Sequence, residues 1–124
     1  MKIADVIEKV DRLTNNLYTT EQKVKWLQDE DCRIYLDAIV THINPEGIQA
    51  PNYSESNLDE ELIIKDPYAE DFYINYLQMK IAKENGEDAK QNKAIAMANE
   101  AYLRWARYHN ETHQPLPKKP FFRF

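Results

Sequence analysis

The sequence predicts an all-α protein, a small bundle of about four helices, and three observations support this class. Apolar side chains recur at three- and four-residue steps along several segments, which is the spacing of one face of a helix. The 124 residues include only 2 glycines, too few for an all-β fold rich in tight turns. An Asp-Pro pair and an Asn-Gly pair mark the ends of the strongest helical segment. We expect a helical body over residues 1–113 and an extended arm over residues 114–124.

The first predicted helix is short, amphipathic and close to the N-terminus. One face consists of Ile3, Val6, Ile7, Val10, Leu13 and Leu17. The opposite face is charged, so the pattern predicts a helix with one buried side. Asn15-Asn16 is expected to end it.

The second predicted helix starts at Thr19, which can form a capping box with Gln22. We expect it to continue to about Ile43. Its apolar stripe is Val24, Leu27, Ile34 or Tyr35, Leu36, Ala38, Ile39 and Ile43. A polar run, Gln28–Asp31, interrupts this stripe, and a kink there is an alternative to a continuous helix.

Residues 44–65 predict a long irregular loop. Asn44-Pro45-Glu46-Gly47 ends the preceding helix, because proline and glycine both interrupt helices. Long loops in compact domains often serve function or pack against a partner. Four apolar residues are expected to attach the loop's end to the next helices: Leu58, Leu62, Ile63 and Ile64.

Residues 66–113 predict an antiparallel helical hairpin with its turn at Asn85-Gly86. Asp66 is expected to cap the first helix, with Pro67 at its first position. Gly86 is expected to end that helix in the left-handed conformation. The two facing stripes are Tyr68, Phe72, Tyr76, Leu77 and Ile81, and then Ala94, Ala98, Ala101, Trp105 and Tyr108. We interpret these aromatic residues as core rather than as a platform for stacking bases.

The last eleven residues predict an extended or polyproline-like arm, because Pro115, Pro117 and Pro120 prevent a helix after His113. An aromatic cluster at a chain end favours burial in a partner. We assign partner docking to Pro117, Lys118, Lys119, Pro120, Phe121, Phe122, Arg123 and Phe124. Arg104 and Arg107 are further candidate contacts to a partner.

The charge distribution combines an acidic body with a cationic C-terminal end. Residues 1–101 carry 11 basic and 20 acidic side chains, whereas residues 102–124 carry 5 basic and 1 acidic. This balance argues against a protein that wraps nucleic acid. With Cys32 as the single cysteine, no intrachain disulfide is expected. No apolar run approaches the roughly 20 residues of a membrane-spanning helix, so we expect a cytosolic chain without membrane contact.

One pattern points towards metal chemistry. His109 and His113 are one helical turn apart, as in zinc-binding helices, but the glutamate position of H-E-x-x-H is not matched. Nothing in the sequence brings His42 or Cys32 near them. We therefore interpret the pair as exposed residues at a helix end, where a cation suits the helix dipole.

The acidic clusters also yield no predicted catalytic site. Asp29–Asp31, Asp59–Glu61 and Glu70-Asp71 are interpreted as hydrated surface, because consecutive carboxylates point in different directions. No phosphate-binding glycine loop or nucleophile motif is present. We predict a protein that is not an enzyme and that has no cofactor and no metal.

Several segments together resemble a known family. The stretches DPYAEDFYINYLQMKIAKENGE and NKAIAMANEAYLRWARYHNETH, the terminal FFRF and the early VDRLTNNLYTTEQKVKWL are similar to the helical head-tail connector, or adaptor, proteins of tailed bacteriophages and prophages. The resemblance implies a homo-oligomeric, dodecameric ring between a portal protein and a tail-side neck or stopper protein. It also implies that double-stranded DNA passes through the ring without sequence-specific binding. The expected location is the virion, after assembly in the host cytoplasm.

A second interpretation remains open from the residues alone. The chain could be a cytosolic helical regulatory or dimerisation module whose C-terminal peptide docks on a partner. Oligomeric state in the presence of portal rings distinguishes the two interpretations.

Overall fold

The computed structural model describes residues 1–117, and its fold is helical, as predicted. The elements in chain order are α1 (Ile3–Leu13), α2 (Thr20–Ile34), a π-helical turn (Tyr35–Ile39), α3 (Ala69–Asn85) and α4 (Asp88–Thr112). Two isolated antiparallel bridges, Lys2 with Glu61 and His42 with Pro115, are the β-type pairing found within these residues. None of the helices in residues 1–117 is long and apolar enough to cross a membrane.

The predicted hairpin of α3 and α4 forms the centre of the molecule. Gly86 ends α3 with φ 71° and ψ 25°, which confirms the left-handed C-cap. The facing stripes are buried at Phe72, Tyr76, Leu77, Ile81, Ala94, Ala98, Ala101 and Trp105. Tyr108 is 47% exposed, so its predicted place in the core is wrong. Its ring instead packs 5.6 Å from that of the half-buried Tyr68 at the edge of the hairpin.

The start of α3 differs from the prediction. Asp66 and Pro67 lie in a turn, and Tyr68 is the N-cap residue without a capping side-chain bond. The N–H of Tyr68 donates to the carbonyl of Lys65 at 3.1 Å, which closes this turn before the helix can begin. The helix therefore starts two residues after Pro67.

The apolar stripe of α1 is buried only as far as the helix continues. Ile3, Val6 and Val10 are fully buried, whereas Leu13 is 66% and Leu17 101% exposed. The α-helix ends at Leu13, and Thr14 is extended, so the chain turns away from the core. The prediction that Leu13 and Leu17 belong to the buried face is wrong for this reason.

The second helix begins as predicted and ends differently. The hydroxyl of Thr19 accepts the N–H of Gln22 at 3.1 Å, which confirms the N-cap. The α-helix passes through Gln28–Asp31 without a break, and the irregular part is the π turn that follows. Because the π turn changes the angular period, Leu36 is 63% exposed, contrary to prediction. Ile43 is 46% exposed because the helical segment ends at Ile39, so Ile43 lies beyond it and bonds Gln114 instead.

The predicted irregular loop is present and wraps over α2 and the start of α1. Ile3 and Ala4 donate backbone N–H groups to Glu60 and Leu58, and Leu62 donates to Met1. Leu62, Ile63 and Ile64 are buried, and Leu58 packs half-buried against the core. The loop's end is thus attached to α1 and α2 as well as to the hairpin.

Candidate functional site

The predicted arm leaves the body at a defined place beside the end of α4. Two backbone hydrogen bonds of 2.9 Å hold it there, from Ile43 N–H to the Gln114 carbonyl and from Leu116 N–H to the Thr41 carbonyl. The antiparallel bridge between His42 and Pro115 lies between them. We call the paired segments Thr41–Ile43 and Gln114–Leu116 the arm base. The start of the arm is therefore extended, as predicted, and attached to its own body.

Most of the predicted docking residues lie beyond the arm base. Pro117 is described and exposed. Lys118, Lys119, Pro120, Phe121, Phe122, Arg123 and Phe124 lie outside the described residues.

A buried histidine supports the arm base. His109 is 5% exposed, and its Nε2 lies 3.0 Å from the carbonyl oxygen of Ala38. A carbonyl can only accept, so Nε2 carries the hydrogen and donates it. The Ala38 carbonyl belongs to the π turn. The N–H of the nearby His42 bonds the carbonyl of Ile39 rather than that of Ala38. The π turn thus joins α2 to α4 through His109.

Two further histidines surround His109. Its ring centroid lies 4.1 Å from that of His113 in a stacked arrangement, and 4.9 Å from that of His42 in an edge-on arrangement. On the core side, its ring stacks on Trp105 at 4.9 Å. We call His42, His109 and His113 the histidine cluster. His42 is itself part of the arm base, so the cluster and the arm base form one site.

The interpretation of His109 and His113 as exposed residues is wrong, because the π turn covers His109 and the side chain of His113 is only 10% exposed. His113 Nε2 lies 2.6 Å from a carboxylate oxygen of Glu46, and His42 Nε2 lies 2.8 Å from the side-chain oxygen of Asn110. These ring nitrogens are engaged by protein groups rather than directed at a shared point. Within residues 1–117, no group of three or more His, Cys, Asp or Glu side chains has an arrangement that could hold a metal ion.

Burial makes this site sensitive to acid. Desolvation lowers the pKa of His109, and the charges of His113 and His42 act in the same direction, while the bond to Ala38 opposes them. The hydrogen bond from His113 lowers the pKa of Glu46. A second proton, which would make the His109 ring cationic, is therefore disfavoured in the folded protein.

A second polar site, around Asp31, fixes the long loop. Asp31 is fully buried and accepts hydrogen bonds from the hydroxyls of Tyr53 at 2.5 Å and Tyr73 at 2.6 Å and from the N–H of Ile63 at 3.0 Å. Tyr73 in turn accepts the N–H of Ile64 at 2.9 Å. Burial raises the pKa of Asp31, and the three hydrogen bonds act against that rise. The interpretation of the Asp29–Asp31 cluster as hydrated surface is therefore wrong for Asp31.

The sequence contained a signal for Asp31 that the prediction did not use. Asp31 lies at the centre of the stripe formed by Val24, Leu27, Ile34 and Ala38, at three- and four-residue steps. A carboxylate on a buried face needs hydrogen-bond donors from elsewhere in the chain. The neighbouring Gln28 also attaches the loop to α2. Its side-chain N–H donates to the Pro51 carbonyl, and its side-chain oxygen accepts the Tyr53 N–H, at 2.8 Å each.

The two candidate arginines of α4 differ in their surroundings. Arg104 is 53% exposed at its side chain and lies 3.8 Å from Asp71, a weak surface pair. Arg107 is exposed, and no acidic group of residues 1–117 lies within ion-pair distance of it. Both are accessible to a partner on the solvent side of α4.

Comparisons with known proteins give no neighbour: no protein-family model, no curated protein and no solved structure matches this chain.

Proposed function

We propose that this chain is a structural connector protein of a tailed bacteriophage or prophage. In this proposal it forms a ring between the portal protein and the tail-side neck protein, and double-stranded DNA passes through the centre. The observation that carries the proposal is the arm base. The arm base fixes the point at which the arm leaves the small helical body. The arm is rich in proline and aromatic residues, which suits a segment that docks on a partner.

The anchoring of the arm supports a docking role in two ways. A segment held at its start has fewer conformations to lose when its remainder binds, which reduces the entropic cost of docking. Three phenylalanines follow within the last four positions of the chain. Burying each is worth about 1.5–3 kcal/mol, and copies in a ring act together.

The surface charge supports a passage for DNA rather than a binding site. The stretch 34–64 contains six acidic residues and no lysine or arginine. All six are exposed: Asp37, Glu46, Glu55, Asp59, Glu60 and Glu61. Such a surface repels phosphates, so DNA near it should slide rather than adhere.

The test is attachment to portal rings. Removing Pro120–Phe124 should leave a folded body that no longer binds portal rings in a pull-down, because the aromatic anchor is lost. Full-length protein should bind and appear as an added ring in electron micrographs. Unchanged binding of the shortened chain would remove the arm from the proposal.

A charge variant of the same arm provides the matched control. Substituting Lys118 and Lys119 with serine keeps all three phenylalanines, so binding should weaken modestly and depend less on salt. If this variant loses binding as completely as the deletion, charge rather than aromatic burial is the main attachment.

The regulatory or dimerisation module stays as the second candidate, and one observation favours it. A cavity of about 700 Å³ lies between α1, α3 and α4, and the exposed Leu13 and Met97 line it. Two copies could cover these side chains by packing together. Size measurement in the presence of portal rings separates the candidates, because a module remains a monomer or dimer there.

A further inference from the structure

We propose that, before the protein meets a partner, residues 118–124 dock on the surface of α2 and its π turn in the same molecule. This inference rests on the proposed function, since it adds a self-held state of the same arm. Four observations carry it: the direction of the chain at the arm base, an uncovered apolar face, the reach of the segment and the distribution of charge.

The arm base sets the direction in which the arm continues. Gln114–Leu116 runs antiparallel to Thr41–Ile43, so the arm passes from Ile43 towards Thr41. At Leu116 the chain therefore heads back along the helix from which Thr41 came. Continuing in that direction, it meets Val40 and then the π turn.

An uncovered apolar face lies on this path. Val40 is 43% exposed and Leu36, one turn earlier, is 63% exposed. The face continues into the arm base, where Ile43 and Leu116 are 46% and 47% exposed. These four side chains belong to the arm base and to the turn that precedes it, so an apolar segment that continues from Leu116 back along that turn can cover them.

A small cavity lies beside Arg33, three residues before Leu36 in the chain. It has a volume of about 260 Å³ between α2, α3 and α4, and Arg33, Tyr102 and Met79 line it. The guanidinium of Arg33 lies over the ring of Tyr102 at 5.0 Å. An aromatic wall with a cation above it suits a phenyl ring, which prefers edge and face contacts of this kind.

The segment after Pro117 is long enough to reach this surface but too short to reach the larger cavity beside Leu13. A chain of seven residues spans at most about 23 Å. From Val40 back to Glu30, the helix covers about 15 Å. The cavity beside Leu13 lies near Lys93, about 28 Å along α4 from its end at Thr112, which is beyond the segment.

The charge distribution also favours the surface of α2 and its π turn over the cavity beside Leu13. The segment carries Lys118, Lys119 and Arg123 and no acidic residue. Between Asp29 and Ile39, the carboxylates of Asp29, Glu30 and Asp37 outnumber the one cation, Arg33, whose guanidinium bonds Glu30 at 2.6 Å and Asp37 at 3.0 Å. The cavity beside Leu13, in contrast, is lined by Lys90, Lys93 and one carboxylate, Glu87, which lies 2.8 Å from Lys90. A cationic segment is therefore attracted to the first surface more strongly than to the second.

The experiment uses the full-length chain in dilute solution. Nuclear Overhauser contacts are measured between the ring protons of the three arm phenylalanines and the methyl groups of Leu36 and Val40. We expect such contacts, unchanged in intensity on dilution. Their absence overturns the proposal. Contacts that weaken on dilution overturn it as well, because they place the arm on a second copy.

A pair of matched variants tests the docking surface. Leu36→Lys should reduce the docked fraction about tenfold, since an apolar contact of this size is lost. Leu103→Lys is the control, because Leu103 is 64% exposed, nearly equal to Leu36, and lies on the solvent side of α4. Equal loss in both variants overturns the proposal.

These outcomes are independent of portal attachment. A chain without self-docking that still joins portal rings contradicts only this inference. A chain that docks its own arm but never joins portal rings contradicts only the proposed function.

Discussion

A single carboxylate, Asp31, determines how the long loop is attached. Its three donors come from Tyr53, Ile63 and Tyr73, which are 22, 32 and 42 positions away in the chain. An isolated buried carboxylate would be strongly destabilising, but here each oxygen is satisfied. The loop's irregular backbone is therefore held by side-chain chemistry rather than by secondary structure.

Removal of this carboxylate should be costly. Asp31→Ala leaves buried hydrogen-bond donors unpaired, so we expect the free energy of unfolding to fall by about 3 kcal/mol. Urea denaturation measures this loss. Asp29→Ala, two residues earlier and exposed, is the matched control and should change stability by less than about 0.5 kcal/mol. Equal losses in both variants would contradict the role assigned to Asp31.

His109 should make stability depend on pH. Its pKa is lowered in the folded state by burial, so the folded protein binds fewer protons than the unfolded chain, whose histidines titrate near pH 6.5. Stability should therefore fall as the pH drops below about 6.5, by up to about 1.4 kcal/mol per pH unit. The other titratable groups facing His109 are His42 from the arm base, His113 directly after α4 and Glu46 from the loop.

The comparison with His109→Gln isolates this contribution. Glutamine retains an N–H donor for the Ala38 carbonyl and does not titrate. Thermal unfolding between pH 5 and 7 should show a steeper acid loss for the unmodified protein than for the variant. Parallel profiles would show that another group dominates.

At the scale of elements, local signals predict the four helices and two of their caps, but not the start of α3 or the end of α2. The Thr19 cap and the Gly86 left-handed residue both depend on a few neighbouring positions, and both were predicted correctly. Where the burial of a side chain depends on residues far away in the chain, the sequence does not predict that burial. The burial of His109 requires Ala38, 71 positions away.

Apolar periodicity overestimates the buried face where a helix changes or ends. Leu13, Leu17 and Leu36 fit an apolar stripe only if a regular helix continues beneath them. α1 instead ends at Leu13, and the π turn alters the period around Leu36. A repeating pattern predicts a face, but the tertiary contacts decide how far the helix extends.

The contribution of the α2 N-cap to stability can be measured by substituting Thr19. Thr19→Ala removes the side-chain acceptor for the Gln22 N–H, so stability should fall by about 1 kcal/mol. Thr19→Ser keeps the hydroxyl and should remain within about 0.3 kcal/mol of the original. Both values come from denaturant unfolding monitored by circular dichroism. A serine variant as unstable as the alanine variant would exclude the hydroxyl as the cap.

At the scale of the whole molecule, two distant chain segments are attached near the C-terminal end of α2. The loop is fixed at the last turn of α2 through Asp31, and the arm base lies beyond the π turn that follows. The acidic stretch 34–64 contains both attachment points, Thr41–Ile43 and Ile63. In the proposed connector, the docking arm therefore leaves the body beside the acidic stretch.

The antiparallel arm base also implies a directional response to tension. A pull along the arm's own axis loads both of its 2.9 Å hydrogen bonds at once, in shear. A pull across that axis loads the Leu116 bond first and the Ile43 bond afterwards, so the pair peels open one bond at a time. A tether built in this way resists axial strain and yields to lateral displacement.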